Sequence, residues 1–436
     1  MIDAKTLKQK VFVRRGEIEA LLDEAYRASR TDTDGFQAWF LRKLQDLGLK
    51  AEEFRVGYDE IVLQPAFRAA YPDEESAVNP PRNVVGTLNP GGKGGVLLFA
   101  HADKLPVTFE YASRHPEIDR SGGRYTAPGI ADDVSGIASM LSAVMLYKEC
   151  APSSDLPILV ASILGKQGGV FGTYGLMRRY GPAEAAIYVH PAESGFGLNE
   201  LKIASNGLIE YRIDIKGKRP DSTEVHQAIF SLSAVNAAEK SMAVHARLLA
   251  WAAKQSEKYH HPQVHQMAGQ SFSVALGKIE TLGETDVYEI PLLCRMRGTI
   301  CFPPNAELAD VKRDFEAQVD AIVRDDEWLA RGNLELHYGD RIGESAQTEA
   351  DDVFLLGASR VVEEMTGSVP SRFYGHSMSD IRYPLLDWDA PSFGIGPLAG
   401  DLGKETEWVD QNEYLLSIAL LTALLIQVGE TGEEQQ

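Results

Sequence analysis

Cysteine is scarce in this 436-residue chain, and what it lacks bounds what it can be. The three present, Cys150, Cys294 and Cys301, are too few for a disulfide framework, and their spacing matches no zinc knuckle. They read as buried apolar side chains in a reducing compartment. Positive charge is also in short supply. Against 63 Asp and Glu stand 43 Lys and Arg, a net charge of -20, which argues against nucleic acid or an anionic membrane as the main partner. A small anionic substrate stays compatible, because a pocket can be basic inside an acidic protein. The longest apolar run is also short: Ile418 to Ile426 is interrupted by Thr422 and falls below the span of a bilayer. The segment MIDAKTLKQKVFVRRGE carries neither a continuous apolar core nor a small-residue cleavage site, so a cytoplasmic protein is expected.

What is present is material for a large core. The chain is 44% hydrophobic and 24% charged, with the two well mixed, which excludes disorder, and its length allows two or three domains. Residues 6–28 and 34–48 have helical periodicity, and helices are also expected near 134–149, 170–180, 353–365 and 412–428. Between them, Asn83–Leu88, Gly95–Ala100, Ile158–Leu164 and Ala186–Val189 read as strands, several almost wholly apolar. Apolar strands alternating with helices predict an α/β fold, a mixed and largely parallel sheet with helices on both faces. Near Asn206 the pattern changes. The alternating strand LIEYRIDIK, a long helix over about 228–255, strands at about 271–279 and 295–302 and a helix at about 307–324 read as an inserted α+β domain. The expected organisation is a catalytic domain over 1–205 and 331–436, interrupted by an insertion over 206–330.

Two motifs carry chemistry. In HADKLP, immediately after the strand VLLFA, an imidazole stands at a strand end with a carboxylate two residues on; the first suits a metal ligand and the second can take the other ring N–H. In TAPGIADDVSGIASML, Pro and Gly set a tight turn, Asp132 and Asp133 stand at its apex, and Ser-Gly permits close helix packing. Either motif alone has a plain structural explanation, a surface histidine or a capped helix; together they do not.

The pair resembles the aminoacylase, carboxypeptidase and acetylornithine deacetylase family of di-zinc exopeptidases. The resemblance covers most of the chain and implies that the insertion is a lid through which the protein forms homodimers. It makes His101 a metal ligand, Asp103 the acid that orients it, and Asp132 the carboxylate that bridges two metals in that family. Asp133 then follows the unusual peptide bond of the bridging acid. The chain also departs from the family. Where the family carries Glu-Glu, as general base and second-metal ligand, ILGKQGGVFGTYG places Lys166 and Gln167. Where it carries a ligand His four residues before a Glu, Val409 stands before Glu413. A cation cannot replace an anionic base, and Gln is a poor divalent-metal ligand. In AAIYVHPAESG, His190 occupies the third ligand position of the first metal. The resemblance therefore implies one divalent transition metal, Mn, Zn or Fe, on His101, Asp132 and His190.

The implied activity is hydrolysis of a C–N bond in a small carboxylate-bearing substrate. With the general base gone, the profile resembles an offshoot of the superfamily, the 5-nitroanthranilate aminohydrolases, which release ammonia from an electron-poor aromatic amine. Competing expectations are a conventional two-metal aminoacylase or dipeptidase and an inactive ligand-binding relative. Lys166 is expected to bind an anionic substrate group or stabilise developing negative charge. Asp133, Glu193 and His376 are candidate proton shuttles, while His226, Ser377 and Arg382 are candidate substrate contacts. Arg295 and Arg297, on an alternating strand, read as a solvated face.

Overall fold

The computed structural model describes every residue except 1, 31, 62–79, 81, 93–94, 105, 167–170, 193, 222–232, 283–288 and 435–436. Gln167, Glu193 and His226 therefore lie outside the described residues. The chain divides into two compact units. The first comprises Met1–Ala204, Gln347–Phe373 and Asp380–Gln436; the second comprises Ser205–Ala346 and Tyr374–Ser379.

The first unit is built on an eight-stranded sheet. Its spatial order is Lys50–Phe54, Asn83–Leu88, Ile158–Ile163, Val96–His101, Ala185–Val189, Ser392–Ile395, Glu200–Lys202 and Ser371–Phe373. The four strands from Ile158–Ile163 to Ser392–Ile395 run parallel to their neighbours, while antiparallel pairing enters towards both edges, so the sheet is mixed and largely parallel at its centre. Every residue of Val96–His101, Ile158–Ile163 and Ala185–Val189 is buried, as expected of strands covered on both faces. Period-two alternation divides them. Leu97, Phe99, Leu159, Ala161, Ile163, Ala186 and Tyr188 enter one core with the helices Phe171–Arg179 and Arg382–Trp388.

The other face is covered by the helix Ser135–Cys150, buried at nearly every position up to Tyr147, and by Gln411–Glu434, which packs against it. Ala, Leu and Met favour the helix, and an apolar circumference forces it inside. Two helical stretches, Ile130–Cys150 and Gln411–Glu430, are long and apolar enough to cross a bilayer, with 89% and 50% of the tested windows buried inside the protein. The Ile418–Ile426 run thus belongs to a longer apolar element than its own length indicated. Its interruption, Thr422, is fully buried and donates its hydroxyl to Ile418 O at 2.8 Å, which satisfies the polar atom without leaving the core. The stretch read as one helix over 6–28 is two, Ala4–Val13 and Arg15–Ser29.

The second unit has a four-stranded antiparallel sheet in the order Ser273–Thr281, Leu293–Phe302, Gly207–Lys216 and Leu334–Gly343. Its helices Ala237–Lys258 and Leu308–Arg324 contribute Leu248, Trp251 and Phe315 to a core with Tyr211 and Ile213. The expected boundary at 330 is corrected by Leu334–Gly343, whose register against Gly207–Lys216 assigns it to this sheet. Arg295 also departs from expectation. It lies opposite Asp214 in the ladder and grips both carboxylate oxygens at 2.8 Å, a cross-strand pair instead of a free solvated charge. The three cysteines are free, with Cys294 buried and the other two half-buried.

The site is positioned by glycine at two points. Gly129, at φ 76°, turns the chain into the Asp132–Asp133 segment in a conformation that side-chain-bearing residues rarely adopt. Gly136, in the first turn of Ser135–Cys150, lies so close to the sheet that an added Cβ would meet Val189 O at 2.6 Å and press on the Asp133 carboxylate. Gly136→Val is expected to lower stability by about 1–3 kcal/mol through overpacking, measured by chemical denaturation. An unchanged midpoint would show that the helix does not need this close approach.

Candidate metal centre

Sheet register brings the key side chains together. Val96–His101 and Ala185–Val189 are parallel neighbours with Phe99 opposite Tyr188. Two residues on, the same alternation sets His101 beside His190, just past the strand end. Their ring centroids are 5.6 Å apart at 27°, and Tyr188 stacks on His190 at 5.1 Å. Lys166 comes from the turn after Ile158–Ile163, the neighbour on the other side of His101. Three adjacent parallel strands thus deliver His101, His190 and Lys166 from their carboxyl ends, where open α/β sheets place ligands. Asp132 enters from the turn that opens Ser135–Cys150, and its peptide bond to Asp133 is cis.

One oxygen is the hub. Asp132 Oδ1 is 2.7 Å from His101 Nε2, 3.1 Å from His190 Nε2 and 3.0 Å from Lys166 Nζ. Lys166 Nζ is in turn 3.0 Å from His101 Nε2 and 2.6 Å from His190 Nε2. His101 is fully buried and His190 is 1% exposed.

The far side of each ring fixes its tautomer. His101 Nδ1 faces Asp103 O at 3.2 Å and Asp103 Oδ1 at 3.3 Å, and His190 Nδ1 faces Pro191 O at 3.2 Å. Where Nδ1–H donates to these oxygens, Nε2 is the nitrogen left to face a metal ion. His101 Nε2, Asp132 and His190 Nε2 offer ligand atoms that lie within 4.8 Å of one another. Two imidazole nitrogens and a carboxylate, with oriented rings, fit Zn, Mn or Fe(II).

Charge at the site is balanced internally. Burial acts against ionisation of Asp132, but Lys166 and His101 outweigh it and hold the carboxyl well below its usual range. Burial, then Lys166 and Lys202, push His190 well below the usual imidazole range, so its ring is neutral. Despite burial, Asp132 draws both Lys166 and His101 towards their charged forms. Lys166 Nζ and His101 Nε2 stand 3.0 Å apart.

Residues not anticipated complete the centre. Glu407, fully buried, accepts the backbone N–H groups of Ala131 at 2.8 Å and Asp132 at 2.9 Å through one oxygen, and that of Gly403 at 2.9 Å through the other. Lys202 places its amine 3.3 Å from His190 Nδ1 and donates to Pro191 O. Lys104, within HADKLP itself, donates to Ser29 Oγ at 2.8 Å, and burial lowers its pKa to about 8. No spacing rule singles out Glu407 or Lys202, because each acts through a backbone or ring atom supplied by a distant part of the chain.

Other expected residues are placed differently. Asp133 is 1% exposed, burial holds its carboxyl well above the usual range, and Oδ1 accepts Gly136 N–H at 3.2 Å. Its Oδ1 thus meets the first turn of the Ser135–Cys150 helix. Arg382, expected at the substrate, is fully buried with its guanidinium 4.6 Å over the Tyr383 ring, so it belongs to the core. His376 and Ser377 belong to the second unit, where Asn206 N donates to His376 O at 2.7 Å and Ser377 bridges Asn206. Val409 is fully buried in the strand Trp408–Asp410.

The mixed sheet that carries His101 and His190 at adjacent strand ends, with Asp132 in the turn before the next helix, has the fold of solved peptidases. Residues 83–167 match the profile of Peptidase family M28. Carboxypeptidase G2 of a Pseudomonas species is 28% identical over 137 residues, which span 31% of this chain and only 32% of that relative. Among solved structures, a tripeptidase from Staphylococcus aureus aligns with a TM-score of 0.69 at 14% identity, covering 94% of this chain and 98% of its own. The aminopeptidase PepT from Bacillus cereus aligns with a TM-score of 0.68 at 16% identity, covering 95% and 98%.

Glu407→Gln replaces a carboxylate oxygen that accepts backbone N–H with an amide that donates. It is expected to destabilise the folded chain by about 1–3 kcal/mol, read from denaturation midpoints. Stability equal to the parent would show that Glu407 does not hold the Asp132 turn.

Proposed function

We propose that the chain is a metal-dependent hydrolase that cleaves a C–N bond in a small carboxylate-bearing substrate, using one divalent ion on His101, Asp132 and His190. The observation that carries this reading is the convergence of two buried histidines and the half-buried Asp132, whose ligand atoms lie within 4.8 Å of one another. When bound, a divalent ion would supply Lewis acidity and lower the pKa of water towards neutrality.

The chain's own residues prepare that chemistry. Asp103 and Pro191 O fix the ring tautomers, Glu407 pins the backbone beneath Asp132, and Lys166 provides the cation for an anionic substrate group or for negative charge that develops during reaction. Asp133 and Glu193 are candidates for moving the proton to the leaving amine. The same reading includes a homodimer formed through the second unit; a monomer in light scattering would remove that part of it.

Two finer assignments compete. Lys166 and Gln167, in place of a carboxylate pair, favour a substrate that needs no protein base to assist its leaving amine, such as an electron-poor aromatic amine hydrolysed to a phenol and ammonia. The named peptidase relatives instead favour an amide or dipeptide substrate. Purified protein should therefore be tested against dipeptides, N-acyl amino acids and aminobenzoates bearing electron-withdrawing groups, with amine and ammonia release measured before and after chelation. We expect hydrolysis that chelation abolishes and one ion per chain by elemental analysis. Two ions per chain would support a dinuclear dipeptidase, while absence of both bound ion and hydrolysis would leave only the fold. His190→Ala is expected to lose retained metal at least about tenfold, and an unchanged metal content would remove His190 from the ligand set.

A further inference from the structure

We propose that Lys166 is a resident cation competing with the metal ion for His101, Asp132 and His190, so that the site alternates between a lysine-in and a metal-in state. The proposal rests on the metal-site reading above and adds to it a second occupant supplied by the chain.

The geometry is that of a filled coordination site. A lysine ammonium has three N–H donors and no acceptor. Lys166 Nζ meets three acceptors, His190 Nε2 at 2.6 Å, His101 Nε2 at 3.0 Å and Asp132 Oδ1 at 3.0 Å, which are the atoms that would ligate a metal. An imidazole that ligates an ion through Nε2 has one lone pair there. That lone pair accepts from the ammonium or binds an ion, but not both. Charge adds to the exclusion. An ion about 2.0–2.2 Å from these atoms would lie within roughly 5 Å of Nζ, two cations in a buried pocket with one ionised carboxylate.

Lys166 therefore has to leave when an ion enters. Two consequences follow. Without an ion, the ammonium neutralises Asp132, so the folded chain does not carry an uncompensated buried carboxylate. With an ion, the apparent affinity is the intrinsic affinity reduced by the fraction of molecules in the lysine-in state. The displaced ammonium is then free to meet an anionic substrate, which couples substrate recognition to metal loading.

The test compares full-length wild type with K166M, titrated with Zn²⁺ and with Mn²⁺ against a chromogenic chelator and melted in the presence of a chelator. K166M is expected to bind either ion roughly tenfold or more tightly than wild type and to melt at a lower temperature when metal-free. In wild type itself, mass-spectrometric footprinting with an amine-acylating reagent should show Lys166 modified more in saturating metal than in chelator. Equal or weaker metal binding by K166M, or acylation of Lys166 unaffected by metal, would overturn the competition while leaving the metal site intact. Failure of both proteins to bind either ion would overturn the metal site and the competition together.

Discussion

A single carboxylate oxygen organises this protein's centre. Asp132 Oδ1 serves two imidazoles and an ammonium at once, each from a different strand end. It can do so only because it stays ionised while buried, and that depends on the positive charge gathered around it. The backbone beneath it is tied to Glu407, which joins the Asp132 turn to a segment almost at the other end of the chain. An unpaired carboxylate at this depth would cost several kcal/mol, so the surrounding cations and donors are conditions of folding as well as of chemistry.

The same constraint explains how an acidic protein comes to have a basic interior. The net charge is -20, yet Lys166 and Lys202 direct amines at His101, Asp132 and His190. The surface charge sets solubility and disfavours polyanions. Parallel strands make such convergence economical, since neighbouring carboxyl ends present their side chains to the same edge of the sheet without long loops.

Compared with peptidases of similar fold, the chain presents an amine where their family places carboxylates. Under the proposed reading, His101, Asp132 and His190 would supply the means to activate water, while Lys166 would not supply the usual route for the proton. This distinction, more than the fold, separates the amide-hydrolase reading from the aromatic-amine reading.

Much of the architecture was legible in the chain. Apolar strands alternating with helices indicated the doubly covered sheet, since burial on both faces removes polar residues from a strand whatever its neighbours are. HADKLP, the Asp132–Asp133 turn and His190 were legible because metal chemistry restricts residue type and strand ends restrict position. Tertiary structure decided the rest. Glu407 and Lys202 act on atoms far away in sequence, so no local pattern marks them. Asp133 and Arg382 look available in a sequence but are buried once the chain packs. Leu334–Gly343 joined the second unit through ladder register, which no strand specifies alone. Lys166 could be identified as a misplaced cation from sequence, but only folding brought its three donors to the three atoms that would otherwise hold a metal, because that match depends on where separate strands end relative to one another.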